Sequence, residues 1–238
     1  AFSGCSGLTA VNISDFTAWL NIIFGEFDSN PLTYAHRLYL NGVELTEIEI
    51  PEGITRINNS VFSGASGITS ITIAKSVTSI GHEAFRECSG LTAVHISDLA
   101  AWLNIKFGSN PLIYAHHLFL NGAELTELKI PAGITKINDS AFCGASSIIS
   151  ITIPDGVTSI GRGAFSDCSG LTLITIPSSV TDIGAYAFSR CSGLTSIIIP
   201  ESVTKIDSSA FSGCKKVFCE QSAEPLDWNA VWSRGVES

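Results

Sequence analysis

A 23-residue period constrains this chain more than any other feature. Residues 171–193 read LTLITIPSSVTDIGAYAFSRCSG, and residues 194–216 read LTSIIIPESVTKIDSSAFSGCKK, nearly a copy. The Phe of the Ala-Phe step recurs at Phe142, Phe165, Phe188 and Phe211; Phe62 and Phe85 keep the same interval, and Phe2 belongs to the series. A fixed period of this length marks a solenoid, in which each repeat is one coil that cannot bury its apolar face alone. Within one coil the apolar positions are Leu171, Ile174, Ile176, Val180, Ile183, Ala187, Phe188 and Cys191. Leu-x-x-Ile-x-Ile is too short for a helix face and ends in strand alternation; Pro177 then stops the ladder, having no N–H to donate. Val-Thr-x-Ile-Gly forms a second short extended piece. Ala-Phe-x-x-Cys passes behind as a helical turn, with Phe188 filling the interior. The fold expected is a right-handed solenoid with a parallel β-sheet face and short helical turns behind.

Strand anchors fall at residues 8–13, 45–50, 68–73, 91–96, 125–130, 148–153, 171–176 and 194–199, with a degenerate ninth near 217–220. Two steps are long: Ile13 to Ile50 is 37 residues and Ile96 to Ile130 is 34. Those stretches are related, SDFTAWLNIIFGEFDSNPLTYAHRLYLNGVEL against SDLAAWLNIKFGSNPLIYAHHLFLNGAEL, and differ in length by Glu26-Phe27-Asp28. Each carries an N-cap (Asp15 or the Ser before it, Asp98 or the Ser before it) and an apolar i, i+3, i+4 helix face: Phe16, Trp19 and Leu20, then Leu99, Trp102 and Leu103. An Asn-Pro turn and an Asn-Gly hairpin signature follow, at Asn41-Gly42 and Asn121-Gly122. The expected organisation is one solenoid domain, 1–238, comprising a partial coil (1–13), two long-coil insertions of helix plus hairpin (14–44 and 97–124) and a C-terminal cap (215–238). The cap would bring Trp228 and Trp232 over the last coil. The opening AFSGCSGLTA is the back half of a repeat, so residue 1 is not expected to be a natural start.

Composition enters as a set of exclusions. At 45 % apolar the chain can bury a sizeable core. Its mean hydropathy of +0.33 comes without any apolar run of the ~18 to 20 residues that a membrane span requires. A net charge of −9 with 13 Lys and Arg argues against nucleic acid or an anionic membrane as partner. Cys5, Cys88, Cys168, Cys191 and Cys214 lie three residues after the repeat Phe, where other coils carry Ala65 and Ala145. A slot that exchanges Cys for Ala is small, buried and apolar. Adjacent coils set these sulfurs about 5 Å apart on parallel side chains, a poor vector for bridging. Buried free thiols are therefore expected, and Cys214 with Cys219 is the one pair worth checking.

The pattern IPxxVTSIGxxAFxxCSGLTSI resembles the BspA-like, Treponema-type leucine-rich repeat family. The inserted AWLNIKFGSNPLxYAHHLFLNG and the terminal FCEQSAEPLDW resemble elements recurring there. The likeness covers essentially the whole chain. It implies a leucine-rich-repeat solenoid on a secreted or cell-surface protein of a host-associated microbe, whose role is adhesion to a host extracellular or cell-surface protein. The family supplies no catalytic motif and no fixed ligand positions.

No chemistry of another kind stands out from the residues. His36 and His116 occupy equivalent places three coils apart, about 14 Å at sheet spacing and too far to share an ion. They read as packed or turn-stabilising side chains. Glu47 and Glu49 face one side of a strand, but the equivalents are Glu127 and Lys129, so no carboxylate pair repeats, and solvated strand faces explain them. Trp19 and Trp102 could form a sugar-stacking platform, yet at i, i+3 with Leu such residues are more often core. No cofactor or metal is expected. The surface most open to function is the outward side of the sheet, a Ser/Thr stripe with His95, Glu127 and Lys129 departing from a background that includes Thr72, Thr152 and Thr175. The function expected is non-enzymatic protein binding there. The alternatives are a self-assembling surface or filament protein and a carbohydrate-binding module.

Overall fold

In a computed structural model that describes residues 2–25 and 29–219, the chain forms two compact units, Ala1–Ala123 and Glu124–Ser238. The cap read over 220–238 and the Glu26-Phe27-Asp28 difference lie outside the described residues.

In the second unit the solenoid is at its most regular. The front face stacks β-strands Glu127–Lys129, Ser150–Thr152 and Leu173–Thr175 in parallel. Each residue pairs with the one 23 positions on, Leu128 with Ile151 for example, then Ile151 with Ile174. Strands Ile197–Ile199 and Val217–Cys219 continue as a parallel pair. A second ladder, of two-residue strands, runs Lys136–Ile137, Ser159–Ile160, Asp182–Ile183 and Lys205–Ile206. The period-2 alternation sends Leu128, Ile151 and Ile174 inward while their neighbours face out. Thr hydroxyls reinforce the ladders along the stack: Thr158 donates to the Thr135 carbonyl and Thr181 to that of Thr158.

Behind the sheets the chain turns without continuing as an α-helix. The N–H of Cys168 bonds back three residues, to the Phe165 carbonyl, but Gly163 and Asp167 on either side are left-handed, with φ of 58° and 60°. That alternation aims amides along the stack rather than along a helix axis. Gly163, Phe165 and Asp167 all donate to the next coil, to the carbonyls of Ala185, Ala187 and Ser189. The Phe side chains then pile into a column, Phe142, Phe165, Phe188 and Phe211, with ring centroids 5.4–5.6 Å apart. The thiols are knitted into the same seam. Cys168, Cys191 and Cys214 donate to the carbonyls of Phe142, Phe165 and Phe188, each 26 residues earlier.

Close stacking is possible because small residues sit where coils touch. A Cβ added at Gly170 would lie 2.1 Å from the Ser146 carbonyl oxygen of the preceding coil. Backbone on both sides leaves little room to give, so Gly170→Ala is expected to cost about 1 to 3 kcal/mol or more. An unchanged denaturation midpoint would contradict this spacing.

The first unit carries the two long coils. Its elements are β1 (Val11–Ile13), α1 (Phe16–Leu20), α2 (Leu32–Ala35), β2 (Leu38–Leu40), β3 (Val43–Glu44), β4 (Glu47–Glu49), β5 (Arg56–Ile57), β6 (Ser70–Ile73), β7 (Ser79–Ile80), β8 (Ala93–Ile96), α3 (Leu99–Leu103), β9 (Lys106–Phe107), α4 (Leu112–Ala115) and β10 (Leu118–Leu120), with β11 (Ala123–Glu124) where the unit ends. Asp15 and Asp98 are the N-caps, accepting from the N–H of Ala18 and Ala101 at 2.9 and 3.0 Å. The Asn-Pro steps begin further helices rather than simple turns. The side-chain oxygens of Asn30 and Asn110 accept from Leu32 and Leu112, and His36 and His116 end α2 and α4 in the left-handed region.

The hairpins differ from the sequence reading in one respect. Their first strand is itself a rung of the parallel ladder, not an excursion before the ladder resumes. β2 pairs in parallel with β1, Leu38 beside Val11, and β10 with β8, Leu118 beside Val94. Those partners are 27 and 24 residues apart, so each long coil hides one near-standard repeat and appends a short antiparallel return. Leucine at 38, 40, 118 and 120 keeps the strand pattern, but without the Pro that punctuates other coils.

Candidate binding surface

The outward residues of the first unit's sheet form two rows. Glu47, Ser70 and Ala93 make one; Glu49, Thr72, His95 and Phe119 make the other. Both rest on Ile48, Ile71, Val94 and Leu118, all buried. The rows line a depression of about 660 Å³ walled by Glu47, Glu49, Thr69, Thr72, Thr92 and His95. The His95 ring lies against Phe119 at 4.8 Å with an interplanar angle of 24°, which holds the imidazole and leaves it half-buried. Thr69 and Thr92 spend their hydroxyls on the carbonyls of Thr46 and Thr69. Among the described residues Glu47 and Glu49 have no ion-pair partner, whereas Glu44 faces Arg37 at 3.1 Å.

In the second unit the corresponding rows are Glu127, Ser150, Leu173 and Lys129, Thr152, Thr175. All but the half-buried Ser150 are exposed. Toward the later coils this face turns apolar: Leu173 and Ile198 are 63 % and 56 % exposed, and Ile198 pairs with Phe218. A second depression, of about 440 Å³, includes Lys136, Asp139, Lys205 and Asp207. Its charges answer one another, with Lys136 and Asp139 3.9 Å apart and Lys205 and Asp207 3.6 Å apart.

The structure thus places Thr72 beside His95 in one row, and Lys129, Thr152 and Thr175 in another, with Glu127 on the parallel row. Consecutive coils would have set the strand of Glu127 and Lys129 next to His95; that neighbour is instead β10, and Phe119 takes the place in the row. Phe119 was the residue the sequence reading missed, and the alternating Leu-Phe-Leu before Asn-Gly was the signal for it. Trp19 and Trp102 are buried, at 5 % and 1 % exposure, and present no face on which a sugar could stack. His36 Nδ1 is 3.0 Å from the Gly64 carbonyl oxygen, the turn-stabilising role expected. Among the described residues no group of three His, Cys, Asp or Glu converges to hold a metal ion, and no helix is long and apolar enough to cross a membrane.

Comparison with known proteins agrees with this architecture. A leucine-rich cell surface protein from Faecalibacterium prausnitzii is 26 % identical, with 82 % of this chain and 64 % of that one covered and a TM-score of 0.47. A leucine-rich repeat protein from Bacteroides ovatus is 23 % identical over 83 % of this chain and 55 % of that one, at a TM-score of 0.50, a likeness of fold. One from Bacteroides capillosus is 33 % identical over 40 % of this chain and 78 % of that one, at 0.37. The chain therefore spans under two thirds of the length of the first two. No curated protein matches it. The sequence pattern described as BspA type leucine rich repeat region matches residues 1–99 and 113–221, in six copies. Most of the length is thereby covered, and the chain belongs to the BspA-type leucine-rich repeat family.

Proposed function

We propose that this chain is a non-enzymatic binding module of a secreted or cell-surface protein, and that its sheet face engages a protein partner, such as an extracellular or surface protein of a host. The carrying observation is the register. Residues 23 apart on successive strands form straight, outward, largely exposed rows, so one partner can be held across several coils at once. The depression over Glu47, Glu49, Thr72 and His95 adds concavity, and the net charge of −9 favours approach of a basic surface. The surface-protein description of the Faecalibacterium relative supports the location.

The test is replacement of His95, Glu127 and Lys129 by Ser or Thr together, with a matched set on the side opposite the sheet as control. Candidate partners come from a pull-down with host extracellular matrix and serum. The sheet variant is expected to lose at least tenfold in affinity, about 1.4 kcal/mol, while the control binds as the parent. Loss of binding in the control set alone refutes the assignment.

A second reading, self-association, draws on the exposed Leu173, Ile198 and Phe218. Sedimentation at rising concentration separates the two, since a monomer throughout is incompatible with assembly. The carbohydrate reading has lost the tryptophans that motivated it; a flat glycan array would close it.

A further inference from the structure

We propose that Asn121, at the tip of the β10–β11 hairpin, is a site of spontaneous conversion to aspartate and isoaspartate, and that the matching Asn41 is protected from it. The inference is independent of any binding role. Only two asparagines in the sequence precede glycine, Asn41 and Asn121. A following glycine leaves the next backbone nitrogen unhindered by a side chain. Both Asn-Gly pairs are exposed. The turns are also alike: φ is 51° and 85° across Asn41-Gly42, 50° and 83° across Asn121-Gly122, as a two-residue hairpin requires. Each asparagine N–H is tied to the ladder, to the carbonyls of Ile13 and Ile96.

The two tips differ in the attacking nitrogen. The N–H of Gly42 donates to Asn12 Oδ1 at 3.2 Å. The residue in the place of Asn12 is His95, which lies against Phe119 instead. Among the described residues the Gly122 N–H has no such acceptor.

In the reaction the Gly122 nitrogen gives its proton to solvent base and bonds to Asn121 Cγ. The Cγ–Nδ2 bond breaks and ammonia leaves, closing a succinimide. Water then adds to one of the two ring carbonyls; opening at one side yields aspartate, and at the other isoaspartate. The net change is amide plus water to carboxylic acid plus ammonia, with no oxidant or cofactor. Holding the Gly42 proton on Asn12 opposes the first step at Asn41.

Purified protein is incubated at mildly alkaline pH and digested, and both peptides are followed by mass spectrometry with an isoaspartate-specific label. The native rate at Asn121 is expected to exceed that at Asn41 by roughly three- to tenfold, the worth of one modest hydrogen bond, and to fall level with it in denaturant. Asn12→Ala should raise the rate at Asn41 toward that at Asn121, and His95→Asn should slow Asn121. The proposal is overturned if Asn41 converts as fast in the native parent, if Asn12→Ala leaves its rate unchanged, or if Asn121 stays intact while the denatured chain converts.

Discussion

Phe188→Ala is expected to destabilise the protein by about 3 to 5 kcal/mol. The ring is fully buried and touches rings on both sides, 5.4 Å to Phe165 and 5.5 Å to Phe211. Deletion removes its own burial and leaves a void that rigid neighbours cannot fill. Their positions are fixed from behind, because the Phe188 amide donates to Ala210 and the Phe165 amide to Ala187. Coils couple to their neighbours, so the loss should weaken the surrounding stack instead of melting one coil. Denaturant melts decide the matter, and a change below about 1 kcal/mol would mean that the assigned register is wrong. Phe2, 41 % exposed in the same series, makes the control; Phe2→Ala should change stability by about 0.5 kcal/mol or less.

The ladder thiols are expected to resist alkylation in the folded protein and to react once it unfolds. Burial pushes the Cys88 and Cys191 thiols up to about 12, that of Cys214 to about 11, and that of Cys168 well above its ordinary value; Cys143, outside the ladder, is also pushed up to about 11. At pH 8 a thiol at 12 is ionised in about one molecule in ten thousand, and the thiolate is the reactive form. Cys88, Cys168 and Cys191 are also closed off from reagent. Cys5 is the exception, because its side chain is exposed. Native labelling should therefore mark Cys5 and spare those three. The sign of the pH effect follows. A folded value raised above the ordinary 9.0 favours the protonated native state, so stability is full below pH 9 and is lost as pH climbs through 9 toward 12. A 168–191 or 191–214 disulfide in native protein would overturn the ladder.

Much of this was legible in the sequence because the stack repeats one physical problem. Phe188 and Cys191 announce their burial through the spacing alone, since a column can form only if each coil offers the same side chain at the same place. The Asp15 and Asp98 caps were legible for a local reason, an acceptor one turn from the amide it serves. Phe119 was not, because its row is set by a hairpin strand that enters the ladder 24 residues after Val94, without the usual Pro. The turn behind the sheet was legible as a turn, but not its left-handed residues. Ser60, Glu83, Ser140, Gly163, Tyr186 and Ser209 share that conformation although they range from Gly to Tyr, and at Ser60, Ser140, Gly163 and Tyr186 the N–H donates to a carbonyl of the next coil. His95, Thr72, Glu127 and Lys129 are visible as departures from a Ser/Thr background, but a stripe of that kind carries no mark of what it meets.

The bonds that tie each coil to the one 22 to 26 residues away also set how the protein yields to force. Strand pairs, Thr hydroxyls and thiols all cross the same seams between coils. Tension applied to the end of either unit falls first on its outermost seam, and deeper seams are loaded only after that one opens. Each 23-residue coil that peels away frees about 75 Å of chain. The regular coils would thus lengthen in even increments and the long coils of the first unit in larger ones, spreading a sudden load over several small ruptures in place of one large one.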